Sequence, residues 1–135
     1  IAMAHILGDA VKPLRTDRVA GNIFTTPEIA TVGVSEKDIE EGLYRGDTVM
    51  LSLTTNPRAK MMAVSDGFVK VFARKHSGTV IGGVVVGPRA SELIFPISLA
   101  VEKKLTVDDL AETFTVYPSL SGSVSEAARK LHTRG

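Results

Sequence analysis

The strongest constraint on the fold is a change of hydrophobic period in the second half of the chain. Residues 68–74 alternate along the chain, which is the period of a half-buried strand. Lys75 to Gly78 is typical of a turn, and the apolar residues 79–86 are typical of a returning strand. The sequence therefore predicts a β-hairpin over residues 68–86.

After Gly87-Pro88 the apolar residues fall at helical spacing instead. The spacing predicts an amphipathic helix over residues 90–103, and Pro96, well inside it, is expected to kink it. The apolar stripe of this helix belongs either to the core of the domain or to a dimer interface, and it consists of Leu93, Ile94, Ile97 and Val101.

Capping and turn signals predict the remaining elements. The first residues, 1–12, are weakly helical. The predicted strands are 22–25, 29–34 and 47–53, with turns at Thr26-Pro27 and Asn56-Pro57. The predicted short helices begin at the caps Ser35 and Thr106, and a last helix capped by Ser119 or Ser123 runs to Leu131. Strands that precede most of the helices indicate an α+β fold, an antiparallel sheet with helices packed on one face.

Composition excludes several classes of function. The 135 residues are the size of one domain, and 16 basic against 15 acidic residues give a net charge of +1. We therefore expect no nucleic-acid partner, and no apolar run is long enough for a membrane span. The chain has no cysteine, which excludes disulfides and thiolate chemistry within it.

Few residues carry chemistry of their own. The three histidines, His5, His76 and His132, share no short spacing, so we predict no metal site. Most acidic residues lie in the predicted first turns of helices, where a carboxylate stabilises the helix dipole. Gly82-Gly83 indicates a bulge, tight packing or a close ligand, of which the first two are commoner. The sequence holds no dinucleotide-binding or phosphate-binding glycine loop.

One segment is unusual for a simple connection. Residues 116–123, Val-Tyr-Pro-Ser-Leu-Ser-Gly-Ser, begin extended and end in small residues before a helix. Such a loop either links two elements or lays its backbone against a flat partner. Composition alone does not separate these two interpretations.

The order of motifs along the chain adds a resemblance. The motifs are Phe24 to Gly33, Asn56 to Lys60, Asp66 to Val71, Gly82 to Gly87, Ala90 to Ile94 and Tyr117 to Ser121. In this order they resemble the C-terminal dimerisation domain of the FAD-dependent pyridine nucleotide–disulfide oxidoreductases, the family of dihydrolipoamide dehydrogenase, glutathione reductase and mercuric reductase.

The resemblance implies a domain organisation and a set of partners. Residues 1–21 are expected to be the tail of a preceding FAD-domain helix with its linker, and residues 22–135 the dimerisation domain. The full-length enzyme is expected to bind FAD and NAD(P)H upstream, to form a homodimer and to be cytoplasmic. The fragment alone is expected to bind neither cofactor and to be inactive.

Two positions depart from the family pattern. In members that act on disulfides, the loop carries a histidine that relays protons and a glutamate that orients it. Here Tyr117 stands at the histidine position and Gly122 at the glutamate position, and Glu126 lies too far along the helix to replace that glutamate. We therefore assign no catalytic residue within the chain, and Tyr117 and Pro118 are expected to cover the partner subunit's flavin.

This form of the loop resembles the branch of the family that acts as NAD(P)H:quinone reductase. The expected function is therefore electron transfer from NAD(P)H through FAD to an acceptor such as a quinone. The alternatives are a dihydrolipoamide dehydrogenase, a soluble transhydrogenase, a mercuric reductase-like enzyme, or a self-association module with no activity of its own.

Overall fold

The structure, a computed structural model, describes residues 1–132. Its strands are β1 (Gly21–Ile23), β2 (Glu28–Gly33), β3 (Gly46–Ser52), β4 (Phe68–Arg74) and β5 (Val80–Gly87). Its helices are α1 (Ala2–Ile6), α2 (Glu36–Glu40), α3 (Pro57–Met61), α4 (Ala90–Leu93), α5 (Phe95–Lys103), α6 (Val107–Glu112) and α7 (Gly122–Leu131). The five strands form one antiparallel sheet in the order β1-β2-β5-β4-β3.

The register of the sheet explains where the core lies. Ala30 pairs with Val85, Val85 with Val69, and Val69 with Leu51, so these four side chains form a row across one face of β2, β5, β4 and β3. All four are buried in the main hydrophobic cluster. Helices α3 to α7 contribute the other half of this cluster, which confirms the predicted α+β architecture.

The predicted amphipathic helix packs directly over Gly83. A Cβ atom at Gly83 would lie 3.0 Å from Cγ2 of Ile97, so the glycine leaves the space that this side chain occupies. The apolar stripe of α4 and α5, including Leu93 and Val101, is buried within the chain. Of the two alternatives for this stripe, the structure therefore supports the core.

The opposite face of the sheet is only partly covered. Lys70 in β4 points away from the main core and pairs with Glu36 in α2. Phe72, on the same face as Lys70, is fully buried. Helix α2 therefore lies on the face of the sheet opposite to helices α3 to α7.

Most predicted elements are confirmed, with two local differences. The helix predicted over 90–103 is divided at Ile94, two residues before Pro96, because proline has no amide hydrogen to donate to the carbonyl four residues earlier and its ring crowds that carbonyl. Asn56-Pro57 begins helix α3 rather than a turn alone, so that prediction was incomplete. Among the residues that the structure describes, no helix has the length and apolarity needed to cross a membrane.

Candidate functional site

The loop between α6 and α7 presents apolar side chains without cover from the chain. It follows Glu112 and contains no strand hydrogen bonds up to Tyr117. Phe114 is fully exposed, Val116 is exposed, and Tyr117 retains 82% of its accessible surface. Three neighbouring apolar residues in this state indicate a contact surface.

The following part of the loop is fixed to the domain. Leu120 is buried in the main core. The Ser119 hydroxyl accepts a hydrogen bond from the amide of Gly122 at 3.1 Å, and lies 3.0 Å from the hydroxyl of Ser121. The exposed segment with Tyr117 therefore ends in a rigid anchor at the start of α7.

The N-cap residue of α7 is Ser121, whose side chain forms no cap hydrogen bond, and of the two predicted caps only Ser119 accepts a hydrogen bond from an amide of the helix, that of Gly122. Ser123 lies within the first turn of α7, is fully buried, and its hydroxyl lies 2.7 Å from Nδ2 of Asn56. The prediction of a cap at Ser123 was therefore wrong. The reason is that a tertiary partner 67 residues away takes up its hydroxyl, and sequence spacing does not reveal such a partner.

Asn56 is the residue of the site that sequence reasoning missed. Its Oδ1 accepts hydrogen bonds from the amides of Arg58 and Ala59, and its Nδ2 donates to the carbonyl of Ser119 at 2.9 Å. An asparagine before Pro57 at the first helical position is a signal for a helix start. That signal identifies the cap, and the contact with the loop needs the structure.

The two positions that depart from the family pattern lie at either end of this anchor. Tyr117 is exposed, and Gly122 is the first residue of α7. Glu126, one turn further along α7, is exposed and shares a cleft of about 340 Å³ with Tyr117. No hydrogen bond joins Glu126 to Tyr117 among residues 1–132. Within that range, Tyr117 is therefore not paired with a carboxylate that would orient it.

The carboxylates next to the loop have structural roles. Asp109 accepts hydrogen bonds from the amide and the hydroxyl of Thr106, which hold the pKa of its carboxyl below the ordinary value of 3.8. Asp108 lies 2.5 Å from Nδ1 of His132. Within the described part of the chain, no group of three or more histidine or acidic residues is placed to hold a metal ion.

A second cavity, of about 580 Å³, lies away from the loop. Arg15 and Arg18 line it, and they pair with Asp17 and Glu102 respectively. The pair with Arg15 holds the pKa of the Asp17 carboxyl below its ordinary value. Of the arginines that line this cavity, Arg15 and Arg18 are therefore already paired with carboxylates.

Comparison with known families identifies the fold. The profile of the pyridine nucleotide-disulphide oxidoreductase dimerisation domain matches residues 19–128. The crystal structure of LpdA from Mycobacterium tuberculosis superposes with a TM-score of 0.95 at 55% identity, covering 98% of this chain and 29% of that one. The HOCl-induced flavoprotein disulfide reductase RclA from Escherichia coli shares the fold, with a TM-score of 0.86 at 22% identity, over 98% of this chain and 31% of that chain.

Two curated proteins are similar to this chain over nearly its whole length. A protein named NAD(P)H dehydrogenase (quinone) from Mycobacterium tuberculosis is 56% identical over 131 residues, which are 97% of this chain and 27% of that protein. A dihydrolipoyl dehydrogenase from Haloferax volcanii is 38% identical over 128 residues, 95% of this chain and 27% of that protein. The chain thus spans less than a third of the length of the relatives it matches.

Proposed function

Since this chain belongs to the pyridine nucleotide-disulphide oxidoreductase dimerisation domain family, we propose that it is the subunit-pairing domain of a longer flavoprotein. That enzyme would use NAD(P)H to reduce a quinone. In the reaction, NAD(P)H, one proton and the quinone give NAD(P)⁺ and the hydroquinone. We propose a homodimer in the cytoplasm, with residues 1–21 continuing an FAD domain and residues 22–135 forming the pairing domain.

The residues at positions 117 and 122 of the loop are the observation that favours a quinone over a disulfide as the electron acceptor. Disulfide reduction needs a group that exchanges protons near neutral pH and a partner that orients it. Tyr117 and Gly122 supply neither, because tyrosine has no imidazole that titrates near neutral pH and glycine has no side chain. Quinone reduction at a flavin does not need this pair. The protein named NAD(P)H dehydrogenase (quinone) from Mycobacterium tuberculosis is 56% identical to this chain over 131 residues.

The loop has the properties expected of a cover for a flavin ring. Flavin, when bound, accepts hydride from the nicotinamide and passes electrons to the acceptor. Its ring system is flat and largely apolar, and Phe114, Val116 and Tyr117 are exposed apolar side chains on a loop that is anchored at one end. We propose that Tyr117 and Pro118 lie against the flavin held by the partner subunit. They would orient the ring and exclude water from it.

In a symmetric homodimer, a two-fold interface would let the loop of one subunit reach the cofactor of the other. In a symmetric pair the same surface serves both subunits, so each loop reaches the opposite subunit at the same distance. Phe95 and Leu99 on α5 are exposed, whereas Ile97, Ala100 and Val101 of the same helix are buried, so the two exposed side chains add apolar area for such a surface. The isolated chain then lacks both cofactors and is expected to be inactive.

Steady-state kinetics of the full-length enzyme test the proposed function. We expect NAD(P)H oxidation to be fast with a benzoquinone or naphthoquinone acceptor and slow with lipoamide or glutathione disulfide. Rapid turnover of lipoamide would support the second candidate, a dihydrolipoyl dehydrogenase, which the 38% identity to the Haloferax volcanii protein also suggests. That result would overturn the proposal.

A further inference from the structure

Every hydrogen-bonding position of the Asn56 side chain is used. The residue is 4% exposed, and a carboxamide offers two donor hydrogens and two acceptor lone pairs. Oδ1 accepts from Arg58 and Ala59 at 2.8 and 3.1 Å, and Nδ2 donates to Ser119 and Ser123 at 2.9 and 2.7 Å. Since the two amides require an acceptor, the orientation of the carboxamide is fixed.

The two halves of this side chain serve different parts of the fold. The oxygen caps α3, which follows it directly in sequence. The nitrogen holds the loop and the first turn of α7, which lie 63 and 67 residues further along the chain. The Ser119 carbonyl that it binds is two residues beyond Tyr117, so this contact fixes the end of the exposed segment.

We propose that Asn56 is a positioning residue for the redox reaction, because it sets where the loop places Tyr117 and Pro118 over the partner subunit's flavin. This inference rests on the function proposed above. Asn56 itself does not touch the flavin. It acts through the backbone of Ser119 and the hydroxyl of Ser123, which are the groups its amide nitrogen holds.

The substitution Asn56→Asp separates the two roles of the side chain. A carboxylate still accepts hydrogen bonds from the amides of Arg58 and Ala59, and aspartate is as good an N-cap as asparagine. The same carboxylate has no hydrogen to donate, so one of its oxygens replaces the amide nitrogen and repels the carbonyl oxygen of Ser119. The helix cap is therefore kept while the loop contact is lost.

The test compares both half-reactions in the flavin-loaded full-length enzyme. In Asn56→Asp we expect reoxidation of the flavin by a quinone to slow roughly tenfold, since a displacement of about 1 Å can cost up to ~100-fold, and reduction of the flavin by NAD(P)H to slow less than reoxidation. We also expect iodide to quench flavin fluorescence more strongly, because the loop covers the ring less well. A purely stabilising role for Asn56 would move neither of these two readouts.

Two further variants complete the design. Ser123→Ala removes one of the two acceptors of Nδ2 and leaves the Ser119 carbonyl, so we expect a smaller slowing of reoxidation, about threefold on the same scale. Ser35→Ala removes a helix cap on α2, away from the loop, and serves as the control for a general loss of stability. Because Ser123→Ala keeps the α3 cap, it tests the proposal even if Asn56→Asp does not fold.

The outcomes distinguish this inference from the function on which it rests. If the wild-type enzyme does not reduce quinones, the proposed function is wrong. If it does, and Asn56→Asp and Ser123→Ala both match the wild type or the Ser35→Ala control in reoxidation and in quenching, Asn56 has no positioning role. Selective slowing of reoxidation with greater iodide access supports the proposal.

Discussion

The hydroxyl of Ser119 accepts a hydrogen bond from the amide of Gly122 at 3.1 Å, so the exposed loop turns directly into helix α7. Removal of this bond leaves one amide at the helix start without a partner. We expect Ser119→Ala to lower the free energy of unfolding of the chain by about 1 kcal/mol. Urea denaturation followed by circular dichroism measures this change.

Ser121→Ala is the control for that substitution, because the Ser121 hydroxyl contacts Ser119 and caps no amide of α7. We expect a loss below about 0.5 kcal/mol for this variant. Equal losses for the two serines would show that Ser119 does not act as a cap.

Gly82 is required by the close approach of β2 and β5. A Cβ atom at this position would lie 2.5 Å from the carbonyl oxygen of Val34 and 2.8 Å from its amide nitrogen, both of them backbone atoms. We expect Gly82→Ala to destabilise the chain by more than about 2 kcal/mol, because the strands must separate. The same urea titration measures this loss.

Gly21→Ala is the matched control in the same sheet. Its Cβ atom would meet only the Thr31 hydroxyl, at 4.0 Å. We expect a change within about 0.5 kcal/mol in either direction. If both glycine variants were equally stable, the close packing of β2 against β5 would not be the reason for a glycine at position 82.

The capping box of α6 makes stability depend on pH. Hydrogen bonds from the amide and hydroxyl of Thr106 hold the pKa of the Asp109 carboxyl below its ordinary value of 3.8. The stabilisation that these hydrogen bonds give is therefore present above the pKa of the carboxyl in the unfolded chain. It is lost as the pH falls through the lower pKa of the same carboxyl in the folded chain. We expect Asp109→Asn to reduce the loss of stability below about pH 4. Urea midpoints at several pH values measure it, and parallel curves for the two proteins would contradict this assignment.

Local signals were enough to predict most of the fold. The alternation over residues 68–74 and the serine and threonine caps depend on neighbours in sequence, so the hairpin and helices α2 and α6 followed from the sequence. The break at Ile94 before Pro96 also has a local cause.

The anchor of the loop was not predictable in the same way. Asn56 contacts Ser119 and Ser123 across more than 60 residues, and the cap at Ser119 rather than Ser123 depends on that contact. The spacing of residues in the sequence does not reveal hydrogen bonds between residues so far apart. The role of Tyr117 and Pro118 at the partner's flavin came from the family resemblance, and it stays a prediction.

Tyr117 is expected to act through its ring and backbone rather than through its hydroxyl. The side chain is exposed and no hydrogen bond to its phenol is formed within residues 1–132. We therefore expect Tyr117→Phe to keep quinone turnover in the full-length enzyme within about twofold, and Tyr117→Ala to lower it roughly tenfold through a less well-ordered cover. A large loss in Tyr117→Phe would instead assign a chemical role to the hydroxyl.

Reoxidation of the flavin in the full-length enzyme tests the central claim most directly. The enzyme is reduced with one equivalent of NAD(P)H, and recovery of the oxidised flavin absorbance is followed by stopped flow after mixing with a quinone or with lipoamide. We predict that the quinone restores the absorbance at least about a hundredfold faster than lipoamide, since the loop lacks the proton-exchanging pair that reduction of lipoamide requires. Reoxidation by lipoamide as fast as by the quinone would contradict the account.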